Sequence, residues 1–266
     1  MRPENFERKY FERIAETVKP YSEMEENEKF FLSGLIRLFR PAKILELGVS
    51  SGGGSAVILN AIRDFDGAKL FSVDYRREAY RHPEKPAGFL VPEKFPELSD
   101  KWKLYTGCDV SSVIEEIGGD IDILILDTRH IHPWESLNFL CAFPFMKRNN
   151  SWTVLHDICV FRVPRYRTHL AGRILWSSVV SERKISPSPD WIPSFANIGA
   201  FTVSDITEKY IRNVFEGLLI PWGIEIPQRD IKTISGIIER HYDSELCGYF
   251  RDILGFQEFL RSNPPE

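Results

Sequence analysis

Residues 44–55 read Ile-Leu-Glu-Leu-Gly-Val-Ser-Ser-Gly-Gly-Gly-Ser, and they constrain the fold more than any other stretch of this 266-residue chain. A short apolar run ends in Glu46, a turn with four glycines follows, and an apolar helical pattern begins at Ala56. Strand, glycine turn and helix make a corner on which a nucleotide-like ligand can rest. Glycine allows positive φ and lets a ligand approach the backbone with no Cβ between them. The helix N-terminus adds unpaired N–H donors. Three consecutive glycines are poor helix formers and have little reason to open a purely structural helix. The spacing also discriminates between ligands. A dinucleotide corner uses G-x-G-x-x-G, whereas here Gly48 is followed next by Gly52, so that fingerprint fails at its second glycine. Glu46 would repel a pyrophosphate and suits a ligand carrying an ammonium or hydroxyls.

Periodicity places this corner inside an alternating chain. Helices are expected over 4–18 and 22–39, the second stopped by Pro41. Strands follow at 43–47, at 70–73 ending in Asp74, at 102–106, at 121–126 ending in Asp127, at 152–155 ending in His156-Asp157, and at 197–203. Helices are expected at 53–64, 111–117, 133–146 and within 165–180. The near-continuous apolar run 121–126 is what a central parallel strand needs. Residues 76–101 read as irregular, broken by Pro83, Pro86, Pro92 and Pro96, and 185–194 as a second poorly ordered stretch. The loops 76–101 and 185–196 are candidate lids. Amphipathic segments at 205–220, 228–241 and 243–261 close the chain. Strands alternating with helices over 40–205 mean α/β with a mostly parallel sheet. The expected organisation is one domain over 1–266, with a ligand-binding core at 40–205, N-terminal helices in 1–39, and a helical appendage at 205–266 suited to dimerisation or to closing over a site.

Composition removes several function classes. Net charge is −4 and no basic tract stands out, so the footprint of a nucleic-acid binder is absent. No run approaches the ~18 apolar residues of a membrane span, and the first residues form no apolar signal segment. The four cysteines lie far apart with no C-x-x-C pair, as expected for free thiols in the cytoplasm.

Ligands of open parallel sheets bind beyond the carboxyl ends of the strands. Glu46, Asp74, Asp127 and the pair His156-Asp157 all stand at that edge, more than helix capping alone accounts for. Asp74 follows Gly48 by 26 residues, close to the offset of a ribose-binding acid. Thr106-Gly107-Cys108-Asp109 falls where an adenine could be held, and Asp109 reads equally well as a helix N-cap. The segment 127–135 holds Asp127, His130, His132 and Glu135. Asp127 and Asp157, on adjacent strand ends, can converge on a hard divalent cation. A histidine beside them can take a proton from a hydroxyl. Zn²⁺ or Fe²⁺ on histidine plus carboxylate is the rival, with no H-x-D or H-E-x-x-H spacing behind it.

The stretches Glu46–Ser55, Ser72-Val73-Asp74, Asp127-Thr128-Arg129-His130 and Leu155-His156-Asp157 together resemble class I S-adenosylmethionine-dependent methyltransferases. More narrowly they resemble the small O-methyltransferases whose fourth strand ends in D-x-x-H, among them the macrocin-type sugar O-methyltransferases and the cephalosporin-hydroxylase-like group. The resemblance implies a Rossmann-like, mostly parallel seven-stranded sheet flanked by helices. It implies S-adenosylmethionine held by Glu46, Gly48, Ser50, Ser51, Gly52, Gly53, Ser55, Asp74, Tyr75, Cys108, Asp109 and Asp127. It implies Mg²⁺ on Asp127 and Asp157 beside His156, and catalysis by His130 as general base with Asp127 and His156. The implied acceptor is a small molecule, a hydroxyl on a sugar, polyol or natural product, with Trp134, Trp191 and Phe195 available to stack on it. Gly52 and Gly53 should tolerate no side chain if the methyl donor lies against them. The terminal helices suit a homodimer. Three positions depart from the pattern: Thr128 where many members have glycine, His156 where an acid is common, and Ile158 where catechol-type relatives have asparagine. The last argues against a catechol acceptor. A non-catalytic binder of the same cofactor and a nicotinamide-linked oxidoreductase are the alternatives.

Overall fold

A computed structural model describes residues 2–187 and 196–263. Strands β1 (Lys43–Leu47), β2 (Lys69–Asp74), β3 (Trp102–Thr106), β4 (Ile123–Leu126), β5 (Ser151–Leu155), β6 (Lys184–Ile185) and β7 (Gly199–Val203) form one sheet in the order β3-β2-β1-β4-β5-β7-β6. The first five are parallel, and β7 runs antiparallel between β5 and β6. The expected Rossmann-like, mostly parallel seven-stranded sheet is thus present. β4 and β5 are buried along their whole length, which is why they read as unbroken apolar or small residues.

Side-chain alternation divides the core into two layers. Ile44, Ile123, Ile125, Trp152 and Val154 point to one face, where they pack on the helices Glu26–Phe39 and Gly53–Ala61. Leu45, Leu47, Leu124, Leu126 and Leu155 point to the other, where Trp134–Ala142 packs on β4. Ile234, Ile237, Ile238, Phe250 and Ile253 belong to that same buried cluster, Gln228–His241 packing on Trp134–Ala142 and Ser244–Ser262 on Gln228–His241.

Local chemistry moved several boundaries. The expected helix 4–18 is broken into the short helices Lys9–Glu12 and Ala15–Val18 between two 3-10 turns. The next helix begins only at Glu26, because Glu25 and Glu28 form a capping box there. The prolines of 76–101 leave room for a helix at Leu90–Lys94 and a 3-10 turn at Pro96–Lys101, so this stretch is more ordered than its composition indicates. β6, two residues long, is too short to show any periodicity. Among the described residues no helix is long and apolar enough to cross a membrane.

The chain reverses its direction of sheet growth between β1 and β4, and a ligand crevice opens at such a switch point. Gly48 stands there with φ 92°. Its N–H donates to the Val73 carbonyl at 2.9 Å, and the Asp127 N–H donates to the Leu47 carbonyl at 2.9 Å. A Cβ added at Gly48 would collide with the carbonyl oxygen of Asp127. Gly67 also has positive φ, yet nothing lies within 4 Å of its added Cβ. Urea unfolding should therefore separate the two: Gly67→Ala should cost about 1–2 kcal/mol for left-handed backbone alone, and Gly48→Ala should cost more than twice that or prevent folding. Equal costs would remove the close approach as the reason for this glycine.

Candidate active site

The crevice at the switch point is a cleft of about 780 Å³, within the range of roughly 300–1,000 Å³ typical of small-molecule sites. One wall is the glycine turn. Asp74 braces it: Oδ2 accepts from Val49 N at 2.9 Å and Ser50 N at 2.8 Å, and Oδ1 accepts from Arg76 N at 2.8 Å. A carboxylate has about four accepting positions, so accepting capacity remains on Asp74, which lines the cleft. Gly48, Ser50, Ser51, Gly53, Tyr75, Cys108 and Asp109 line it as well, whereas Gly52 and Ser55, expected from sequence to hold the ligand, do not. The intolerance expected at Gly52 and Gly53 has its cause in the protein itself. A Cβ on Gly52 would come within 3.1 Å of the Gly88 backbone, and one on Gly53 would meet the Tyr21 carbonyl. The carbonyls of Ser50 and Ser51 accept from Gly88 N (2.8 Å) and Leu90 N (3.1 Å), so this part of 76–101 is seated on the turn.

Glu46 lies beneath the turn, 3% exposed. Ser55 and Ser72 both donate their hydroxyls to its Oε2 at 2.6 Å, and Trp102 Nε1 donates to Ser72 at 2.8 Å. Burial raises the Glu46 carboxyl to about 7, against the two hydroxyls, with Asp127 and Asp74 adding to the rise. Asp109 caps the 3-10 turn after it, accepting from Ser111 N at 2.9 Å, so the capping reading of this acid is realised. Tyr75 Oη donates to Asp230 Oδ2 at 2.9 Å, docking the end of β2 on the helix Gln228–His241.

The opposite wall carries the charged groups. Glu135, in the first turn of the helix Trp134–Ala142, reaches back so that Oε1 accepts from His130 N at 2.8 Å and Thr128 Oγ1 at 3.1 Å. That bond holds His130 in a left-handed conformation, φ 59°. His130 Nε2 then lies 3.1 Å from Asp157 Oδ2 and 3.5 Å from Asp127 Oδ1, and its Nδ1 lies 3.3 Å from Glu135. His156 is clamped between two acids: Nδ1 is 2.9 Å from Asp127 Oδ1 and Nε2 is 3.1 Å from Glu28 Oε2. Asp157, φ 56°, accepts from Asn197 Nδ2 at 2.6 Å through Oδ1, which stands 3.7 Å from His156 Nδ1. Burial opposes charge on both histidines, and the carboxylates outweigh it. His130 rises to about 9 through Glu135, Asp157 and Asp127, and His156 rises well above the ordinary value through Asp127, Asp157 and Glu28. Burial would raise Asp127, but the two histidines bring it below the usual carboxylate range.

The sequence-derived residues Asp127, His130, His156 and Asp157 are thus brought together, and Asp74 with the turn faces them across Gly48. His132 is elsewhere, buried and held uncharged by burial at about 4. Trp134 is buried against the ring of Tyr75, 5.7 Å away, a core position at the cleft floor. Trp191 and Phe195 fall outside the described residues. Sequence reasoning missed Glu28, Asn197 and the positioning role of Glu135. Only Glu135 left a trace, as an acid in a helix's first turn.

The donor set suits a cation. One ligand atom from each of Asp127, His130 and His156 lies within 4.8 Å of the others. Around them Glu28 Oε1 and Glu135 Oε2 are buried with no hydrogen-bond partner. The turn and strand ends suit an adenosyl amino acid, with room for the ligand, backbone left uncovered by glycine, and carboxylates for hydroxyls and an ammonium.

Residues 45–158 match the family described as Methyltransferase domain. No curated protein sequence matches the chain. Among solved structures, S-adenosylhomocysteine-bound methyltransferase PaMTH1 of Podospora anserina is similar with TM-score 0.53 and 12% identity, covering 74% of this chain and 88% of that one. The O-methyltransferase TomG of Streptomyces achromogenes, involved in tomaymycin synthesis and solved with S-adenosylmethionine, has TM-score 0.51 and 15% identity over 74% of this chain and 88% of its own. Residues 45–158 thus match a methyltransferase domain, and the chain shares the fold of these enzymes.

Glu46 gives the site a measurable pH dependence. Its carboxyl titrates near 4.5 when exposed and at about 7 when buried, so between those values the folded chain holds a proton that the unfolded chain has released. Stability must fall as pH rises through that window, by about 3 kcal/mol in all. Glu46→Gln should remove this component. The difference in unfolding free energy between variant and wild type should shift toward the variant from pH 5 to pH 8, and a constant difference would contradict the assignment.

Proposed function

We propose that this S-adenosylmethionine-dependent methyltransferase methylates a hydroxyl of a sugar, or of another small polyol or natural product, in the manner of the macrocin-type branch it resembles. The observation that carries the reading is the cluster of Asp127, His130, His156 and Asp157 in the same cleft as the glycine turn, the Asp127 backbone abutting Gly48. When bound, S-adenosylmethionine would supply an electrophilic methyl, transferred to the hydroxyl oxygen as the CH3–S bond breaks and S-adenosylhomocysteine leaves. The chain's task is to align the two molecules and take the proton, and alignment alone can supply up to roughly 7–11 kcal/mol. Gly48, Ser50, Ser51 and Gly53 bear on the donor, with Glu46 and Asp74 matched to its ammonium and ribose, and Tyr75, Cys108 and Asp109 to its adenine side. His130 Nε2 accepts the hydroxyl proton. It gives up its own proton once the carboxylates around it are neutralised. A divalent cation on Asp127, His156 and Asp157, expected from sequence to be Mg²⁺, would supply that neutralisation and lower the pKa of a chelated diol. Tyr80 and Tyr166 at the cleft mouth offer ring faces to a sugar.

We place the enzyme in the cytoplasm as one domain, its four cysteines free, with a homodimer contact on the terminal helices.

Transfer of labelled methyl from S-adenosylmethionine to a panel of vicinal-diol glycosides tests this reading. His130→Ala should lower kcat about 10²–10⁴-fold while the dissociation constant for S-adenosylhomocysteine stays within a factor of about three. Full activity in both His130→Ala and Asp127→Ala would overturn it.

A further inference from the structure

We infer that the acceptor-side cluster is a site for a divalent first-row transition ion such as Co²⁺, Zn²⁺ or Mn²⁺ in preference to Mg²⁺, with Glu28 as the positioning residue that makes His156 a ligand. The inference rests on the cation-assisted reading above and gives it a chemical identity.

The argument starts from the two ends of one imidazole. His156 Nε2 lies 3.1 Å from Glu28 Oε2. Glu28 is 4% exposed, and the same oxygen accepts from Glu25 N at 2.7 Å within the capping box, so the acid is fixed by its own helix. A carboxylate held there takes the Nε2 proton, which leaves Nδ1 as the end available for a ligand. Nδ1 is turned into the cluster, 2.9 Å from Asp127 Oδ1 and 3.7 Å from Asp157 Oδ1. Carboxylate behind, imidazole between and cation in front is the arrangement by which proteins fix the tautomer and basicity of a metal-binding histidine. His130 Nε2 stands beside the same two acids, 3.1 Å from Asp157 and 3.5 Å from Asp127, and remains the base assigned above, so the nitrogen donor to the ion is His156 Nδ1.

Donor type then decides the ion. Mg²⁺ takes an octahedron of oxygens and seldom accepts nitrogen. Imidazole with carboxylate suits Mn²⁺, Co²⁺, Ni²⁺ and Zn²⁺, with affinity rising along the series. The position before Asp157 holds a histidine, so one donor at this point of the site is a nitrogen. The buried acid behind it lies far away in sequence, on the helix Glu26–Phe39.

The test uses untagged, chelator-stripped full-length protein and titration calorimetry with Co²⁺ and with Mg²⁺, no acceptor or donor being present. Co²⁺ should bind at least about 100-fold more tightly than Mg²⁺ and develop visible absorption bands sensitive to His156. His156→Asp should lower the Co²⁺-over-Mg²⁺ ratio at least tenfold. Glu28→Gln should weaken Co²⁺ about 10–100-fold. Both variants should retain S-adenosylhomocysteine binding, which verifies their fold. Mg²⁺ binding as tight as Co²⁺, Co²⁺ binding indifferent to His156, or binding of neither ion would overturn the inference. Because the readout is metal binding, an enzyme that binds Co²⁺ as stated yet methylates no polyol refutes only the acceptor assignment. One that methylates polyols yet prefers Mg²⁺ refutes only this inference.

Discussion

The backbone contact between Gly48 and the Asp127 carbonyl governs the rest of the molecule. β1 and β4 are hydrogen-bonded neighbours, so their carboxyl ends leave the sheet side by side. One continues into the glycine turn and the other into the loop that carries His130. With any side chain at Gly48 the two ends could not approach, since the Cβ would occupy the place of the Asp127 oxygen. The separation of the two walls of the cleft is therefore set by covalent geometry and sheet register. Reactions that depend on alignment benefit from that rigidity, because a displacement of about 1 Å can cost two orders of magnitude in rate.

The second constraint is electrostatic. Glu28, Asp127, Glu135 and Asp157 converge on two imidazoles in a region from which most solvent is excluded. Four acids against two bases cannot rest there without protons or a cation, since unpaired buried charge is expensive. The raised affinity of both histidines for protons is one solution. A divalent ion solves the same problem and releases those protons. Proton uptake and the proposed cation would thus compete for one set of carboxylates, which is how the proposed base would lose its proton.

Much of this was legible in the chain. The strand-turn-helix corner announces itself through three glycines that a plain helix would avoid. The strand-end acids follow from where apolar runs stop. What pattern reading could not supply was direction. Asp74 and Asp109 were visible as polar residues at the right edge, yet only the folded backbone tells a carboxylate that grips three N–H groups or caps a turn from one that is wholly free for a ligand. Glu28 was harder still. It scans as one of four glutamates around a helix start, where capping explains it completely. Its second bond, to His156, spans 128 residues and has no local trace. β6 escaped because two residues carry no period.

The N-terminal helices thereby acquire a chemical role as well as a packing one. The helix Glu26–Phe39 lies outside the stretch that matches the methyltransferase family, yet it covers one face of the sheet and sends Glu28 through to the acceptor side. The C-terminal helix Gln228–His241 acts similarly on the donor side, where Asp230 and Arg229 hold Tyr75. A central corner of fixed geometry is thus braced from both ends of the chain: residues 20–25 and Glu28 line the cleft from the N-terminal side, and Asp230 with Arg229 fixes Tyr75 from the C-terminal side.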